Sequence, residues 1–153
     1  MIALPIAAHD AEPVHALRIF TAPPEGHLLH IVGDDRLRPI LRKGEIAVFD
    51  PEYYWPDDGS FFLKQGGCRT WTGGAIQHHW TIVETALSSK DRESWWTHPF
   101  YRSPQYKATI AAGIMPKRIG GFSDGPYISA VALADMLLGR LVGIYAPSGE
   151  VVL

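Results

Sequence analysis

Apolar positions along this chain alternate, or cluster in short runs, and Gly, Pro and Asp interrupt them; that pattern predicts strands joined by tight turns. Residues 14–20 predict a short strand. Residues 27–32 (His-Leu-Leu-His-Ile-Val) predict a second, stopped by Gly33-Asp34-Asp35. Residues 37–44, around Pro39, form a compact turn region. In residues 45–50, Ile46 and Val48 share one strand face while Ala47 and Phe49 share the other, and Pro51 ends the strand. Pro56-Asp57-Asp58-Gly59 is a turn signal: Pro sets φ, Asp closes local hydrogen bonds and Gly admits positive φ. A strand over 60–64 follows. Gly66-Gly67 and Gly73-Gly74 predict turns on either side of 68–72, and 75–85 predict a further strand, centred on 79–84.

The pattern changes at residues 88–106. A polar stretch leads into Trp95-Trp96 and Phe100-Tyr101, an aromatic-rich excursion with no regular period. Residues 108–115 predict another strand, broken at Gly113 and continued by 117–121. Asp124-Gly125-Pro126 predicts the start of a helix over 126–138, with Tyr127, Val131, Ala134 and Leu138 on one stripe and Gly139 as its C-cap. Residues 140–145 predict a closing strand, and 150–153 a final one. The expected fold is mainly β: one strongly bent antiparallel sheet or partly open barrel in a single domain, with core 28–85 and 108–153, an insertion at 88–106, and one C-terminal helix.

Composition narrows the function classes. The 153 residues are 46% hydrophobic and 20% charged, typical of a folded globular chain. Pro (12) and Gly (15) favour turns over a helical bundle. A formal charge of -2 gives no broad basic footprint, so direct nucleic-acid binding is not expected. Cys68 stands alone, which excludes an internal disulfide framework and a Cys-based zinc cage, and fits a reducing, cytoplasmic setting. No apolar run reaches the ~20 residues of a membrane-spanning helix, and no membrane role is expected. Residues 1–8 are apolar, but without a basic lead and with Pro5 among them they are taken as an ordinary start rather than a signal peptide.

Gly33-Asp34, a turn containing Pro39, Lys43-Gly44-Glu45, a hydrophobic strand ending in Asp50, the Pro56–Gly59 turn and the late Gly139–Tyr145 segment occur in an order that resembles the LexA-type and phage-repressor C-terminal domain, which shares its mostly-β fold with signal peptidases. The resemblance covers roughly 28–63 and 139–145. It implies a Ser nucleophile just after Gly-Asp and a Lys base on a later strand. Here Gly33-Asp34 is followed by Asp35-Arg36-Leu37-Arg38-Pro39, with no Ser, so the nucleophile position falls on Asp35 or Arg36. The Lys is expected within 76–85, which contains none; Lys64 lies earlier and Lys90 later. Arg stays protonated and a carboxylate is no acyl-accepting hydroxyl, so the family's chemistry is not expected. The helix-turn-helix that usually precedes this domain is not expected in the residues before Gly33.

Other groups have ordinary structural explanations. His78 and His79, adjacent on a strand, point to opposite faces, and the odd separation of His27 and His30 does the same, so no metal site is expected. Asp34-Asp35 and Asp57-Asp58 are turn residues first and acid–base candidates second. Arg36, Arg38, Arg42 and Lys43 form a basic cluster balanced by Asp34, Asp35 and Glu45. The glycine pairs form no nucleotide motif, and no cofactor is expected. Tyr53-Tyr54-Trp55 and Trp95-Trp96 are the candidate partner surface, because adjacent aromatics in loops cannot all face one core. The expected function is a non-catalytic, repressor-like domain active in transcription regulation through self-association, as the family's dimers imply, or through a regulatory protein partner. The alternative is a divergent serine peptidase or other hydrolase with relocated groups, such as Ser60 with Lys64, or Asp34/Asp35 with His78/His79.

Overall fold

The computed structural model describes residues 17–69, 76–115 and 122–148. In chain order the elements are β1 (Arg18–Phe20), β2 (Leu28–Ile31), β3 (Ile46–Asp50), β4 (Phe61–Arg69), β5 (Ile76–Leu87), β6 (Trp95–His98), α1 (Pro104–Ala111), β7 (Asp124–Tyr127), α2 (Ala130–Ala134) and β8 (Leu137–Tyr145). The strands form one eight-stranded sheet in the order β2-β3-β8-β4-β5-β6-β7. All these neighbours are antiparallel, and β1 adds a parallel pair on the far half of β8. Register shifts at Val48/Phe49 and Leu63/Lys64 mark bulges, which increase twist and bend a sheet. The fold is therefore mainly β and bent, with a C-terminal helix, as the hydrophobic pattern predicts.

Each sheet face carries its own core. On one, Phe61, Leu63, Ile82 and Phe49 meet Leu37, Ile40 and Leu41 from the turn region before β3. On the other, Phe62 packs with Trp95, Leu133 and Leu137. Alternation along β4 assigns these residues: Phe61 and Leu63 face one way, Phe62 and Lys64 the other. The curl of the sheet brings β2 opposite β5 without pairing, with the His30 and Trp80 rings 6.4 Å apart.

Several elements differ from the sequence expectation. Residues 108–115 are not a strand: α1 ends at Ala111, and it starts where Ser103 accepts a hydrogen bond from the Tyr106 N–H at 3.0 Å and Pro104 fits the first turn. The helix expected over 126–138 shrinks to α2. Gly125 adopts φ 144 and a Cβ there would stand 2.8 Å from the Trp95 carbonyl, so Asp124–Tyr127 runs as a strand beside β6. Ser129 caps α2 through the Ala132 N–H, Val131 is 65% exposed, and β8 already begins at Leu137. Gly139 is thus a strand residue, not a C-cap. Gly66-Gly67 is not a turn, because β4 runs through both glycines and pairs with β5 as far as Arg69–Ile76. The 88–106 excursion contributes β6 to the sheet. The predicted features at 1–8, 14–16, 73–74, 117–121 and 150–153, and the side chains of Cys68 and His78, lie outside the described residues.

Candidate functional site

The turn between β2 and β3 is built by its own charges. Asp34 accepts hydrogen bonds from the Arg36 backbone N–H (3.0 Å) and Nε (2.9 Å), and Asp35 accepts from Arg38 Nε (2.8 Å) and the Lys43 N–H (2.9 Å). Burial alone would raise the Asp34 carboxyl, but the Arg36 hydrogen bonds and charge outweigh it and hold it below the usual carboxylate range. The Lys43 N–H and Arg38 do the same for Asp35. Both residues of the expected nucleophile position, Asp35 and Arg36, are therefore tied into turn chemistry. The Arg36 carbonyl accepts from the Tyr101 N–H at 2.9 Å, which fixes this turn against the segment after β6.

Arg36 opens onto a cleft. With Lys64, His79, Thr81, Thr97 and Asp124 it lines a cavity of about 430 Å³. The register explains the grouping: Lys64 lies directly across from Thr81, and Gly66 from His79, all on one face of the β4–β5 hairpin. No Lys lies in 76–85, yet the hairpin places the Lys64 amine on the face of that very stretch. The Lys64 amine donates to Asp124 Oδ2 at 2.6 Å and to Thr97 Oγ1 at 3.3 Å. The Tyr127 hydroxyl donates to the same Asp124 oxygen, and the amine stands 5.3 Å from the Tyr127 ring centre. Lys64 foremost, then Tyr127, keeps the Asp124 carboxyl below its ordinary range, whereas burial and Asp124 push the Tyr127 phenol up. An ammonium that donates to a hydroxyl cannot also remove that hydroxyl's proton. The Thr97–Lys64 contact thus runs in the direction opposite to nucleophile activation.

A second cavity, about 190 Å³, continues the cleft past Arg36, Thr81 and Pro99 to His30, Ile31 and Trp80. It lies between two strand edges. Among the described residues β2 pairs only with β3, and β5 meets β6 only from Glu84 onward, so residues 79–83 of β5 face the gap without a strand beside them.

Ser60 and Lys64 do not meet. Four residue steps of extended chain separate them, roughly 13 Å. The buried Ser60 hydroxyl donates to Asp57 Oδ2 at 3.1 Å, a bond local to the turn, and Asp58 accepts the Leu87 N–H from the end of β5. Asp34 is held by Arg36 in the turn, and no hydrogen bond or ion pair joins it to His79. No group of three or more His, Cys, Asp or Glu that could hold a metal occurs among the described residues. No helix among them is long and apolar enough to cross a membrane. The candidate partner surface divides: Tyr53, Tyr54 and Trp55 are exposed, but Trp95 is 9% exposed and belongs to the second core, because β6 turns Trp95 and Thr97 inward on one face. Trp96 and His98 point to the other face.

There, a site the sequence did not reveal appears. His98 Nδ1 is 2.6 Å from Ser123 Oγ, and both line a cavity of about 640 Å³ with Arg102, Lys90 and Trp96. Twenty-five residues separate the pair, and only the β6–β7 pairing joins them. Burial, then the Arg102 and Lys107 charges, lower His98 to about 4. The sign follows from linkage: an unfolded His takes up its proton near pH 6.5, the folded one only near 4, so stability falls as pH drops through that window. His30, lowered by burial, adds to the same slope. We expect thermal stability to decline between pH 6.5 and 4, and His98→Gln to flatten that decline in a pH series of melting curves; an unchanged slope in the variant would show His98 to be freely protonated in the fold.

No protein-family model, curated protein or solved structure matches this chain.

Proposed function

We propose that this protein binds an extended peptide segment, from a regulatory partner or a second copy of the chain, in the gap between β2 and β5, and does not cleave it. The observation that carries this function is the gap itself, where two strand edges that pair with no strand among the described residues face one cavity. A strand inserted there would gain main-chain hydrogen bonds from the edges and side-chain contacts from Ile31, Trp80 and Arg36. Retention without cleavage follows from the occupants of the cleft, an Asp34–Arg36 pair and a Lys64–Asp124 pair where peptide hydrolysis would need a hydroxyl beside a free amine. The resemblance to repressor C-terminal domains, whose dimers form through this domain, supports self-association.

Sedimentation at micromolar protein is expected to show a dimer, with slowed amide exchange over 28–31 and 79–83 and dissociation by Ile31→Lys, whose wild-type side chain is exposed. A monomer at all concentrations, with fast exchange at both edges, would count against the second copy as occupant. A fluorophosphonate probe is expected to leave Ser60 and Thr97 unlabelled.

One observation favours a second function, a hydrolase acting on the opposite face. The Ser123–His98 pair has a hydroxyl within hydrogen-bond reach of an imidazole, beside the Arg102 guanidinium. The same probe separates the two: covalent labelling of Ser123 that His98→Gln abolishes supports hydrolysis, and an unlabelled chain excludes it.

A further inference from the structure

The loop after β3 holds aromatic surface that the fold leaves uncovered. Tyr53, Tyr54 and Trp55 are 59%, 51% and 55% exposed. Pro51 and Pro56 bracket them, Pro56 being buried, and Asp50 fixes the turn by accepting the Glu52 N–H on its side chain (2.9 Å) and the Tyr53 N–H on its carbonyl (3.2 Å). The three rings are thus presented on a short, pinned segment, which lowers the entropy lost on binding. With Glu52, Asp57 and Arg140 they line a cavity of about 470 Å³. This cavity shares no lining residue with the gap between β2 and β5.

Charge selects the occupant. Glu52 has no cationic partner among the described residues, and the loop ends at Asp57 and Asp58. Arg140 stands 3.9 Å from Asp57, so one guanidinium of the chain itself already sits beside this carboxylate. An anionic partner would meet the carboxylates at close range, and a purely apolar one would bury Glu52 unpaired. A cation gains from both features, since aromatic faces attract positive charge and the carboxylate completes the contact. Between the two side-chain cations, the planar guanidinium stacks on rings and pairs bidentately, whereas an ammonium does only the latter as a point charge.

We propose that the Tyr53–Trp55 loop is a docking site for an arginine-bearing segment of a partner protein, with the guanidinium stacked on the exposed rings and paired with Glu52. The site is independent of the peptide-binding gap. The test titrates the full chain with a short peptide of alternating Arg and Gly, beside its Lys and citrulline counterparts, by calorimetry and by the indole N–H resonance of Trp55, assigned through Trp55→Phe. The Arg peptide is expected to saturate and to shift that resonance. The neutral citrulline peptide, Glu52→Gln and Trp55→Ala are each expected to weaken binding about tenfold. Ile31→Lys, in the gap, is expected to leave it unchanged. Equal binding of the citrulline peptide, indifference to Glu52→Gln, preferential binding of a polyglutamate peptide or anionic vesicles, or no saturation at millimolar peptide would each overturn the proposal. Glu52→Gln changes only charge on an exposed side chain, so it tests the site even if Trp55→Ala perturbs the loop.

Discussion

Glu84→Ala is expected to destabilise the protein by about 3–5 kcal/mol, the usual cost of stripping one partner from a buried ion pair. The Glu84 carboxylate is 2% exposed and Arg102 is 17% exposed. Glu84 accepts the Arg102 backbone N–H at 3.1 Å as well as its guanidinium at 3.3 Å, so one side chain ties the segment between β6 and α1 to β5. Removing it leaves a half-buried guanidinium and a backbone donor without their carboxylate together. For a chain of this length the loss corresponds to a melting-temperature drop on the order of 10 °C. The double variant Glu84→Leu/Arg102→Leu is expected to recover much of the loss, because neither charge then remains buried. Thermal melts of the single and double variants check this; a single variant within about 1 kcal/mol of the parent would show that water reaches Arg102 freely.

Gly139→Val is expected to cost about 3 kcal/mol by overpacking against backbone that cannot step aside. A Cβ at this position would meet the Asp50 carbonyl oxygen at 2.8 Å and carbon at 2.9 Å. β8 is the strand on which the sheet is assembled, pairing with β3 on one side and with β4 and then β1 on the other, so it has no free side to which it can move. Asp50 and Pro51 also anchor the Tyr53–Trp55 loop, and the valine variant is expected to weaken arginine-peptide binding along with stability. Gly66→Ala is the control: its Cβ would sit at 3.5 Å from His79 Nε2, an ordinary contact, and its unfolding free energy from urea titration is expected to change by less than about 1 kcal/mol. Equal midpoints for Gly139→Val and the parent would refute the close approach of β8 to Asp50.

Much of the fold is legible in the chain. The strands over 27–32, 45–50 and 140–145 and the Asp-Gly turn show because their alternation is clean and their boundaries carry Gly, Pro or Asp. The missed elements have their own local signals. Ser103-Pro104 is a helix start, obscured by apolar residues at 108–115 with strand-like spacing, and Ser129 is a cap, obscured by the earlier start signal at Asp124-Gly125-Pro126. Gly66-Gly67 misleads in the other direction, because glycines read as a turn also suit a long hairpin in which His79 packs across Gly66. Trp95 and Trp96 show the limit of counting aromatics: one is core and the other is half-buried, a division made by strand alternation once β6 joins the sheet.

Residue chemistry along the chain was enough to show mainly-β architecture, turns closed by Asp34, Asp35 and Asp57, the absence of a hydroxyl after Gly33-Asp34, and the aromatic run at 53–55. These are local properties, set by backbone preference and by side chains reaching a few residues. Folding in three dimensions had to place Lys64 opposite Thr81 and against Asp124, 60 residues away, and His98 against Ser123. It also set the gap between two strand edges. Such meetings depend on strand register and sheet curvature, which arise from the packing of the whole core and leave no periodic trace in the order of residues.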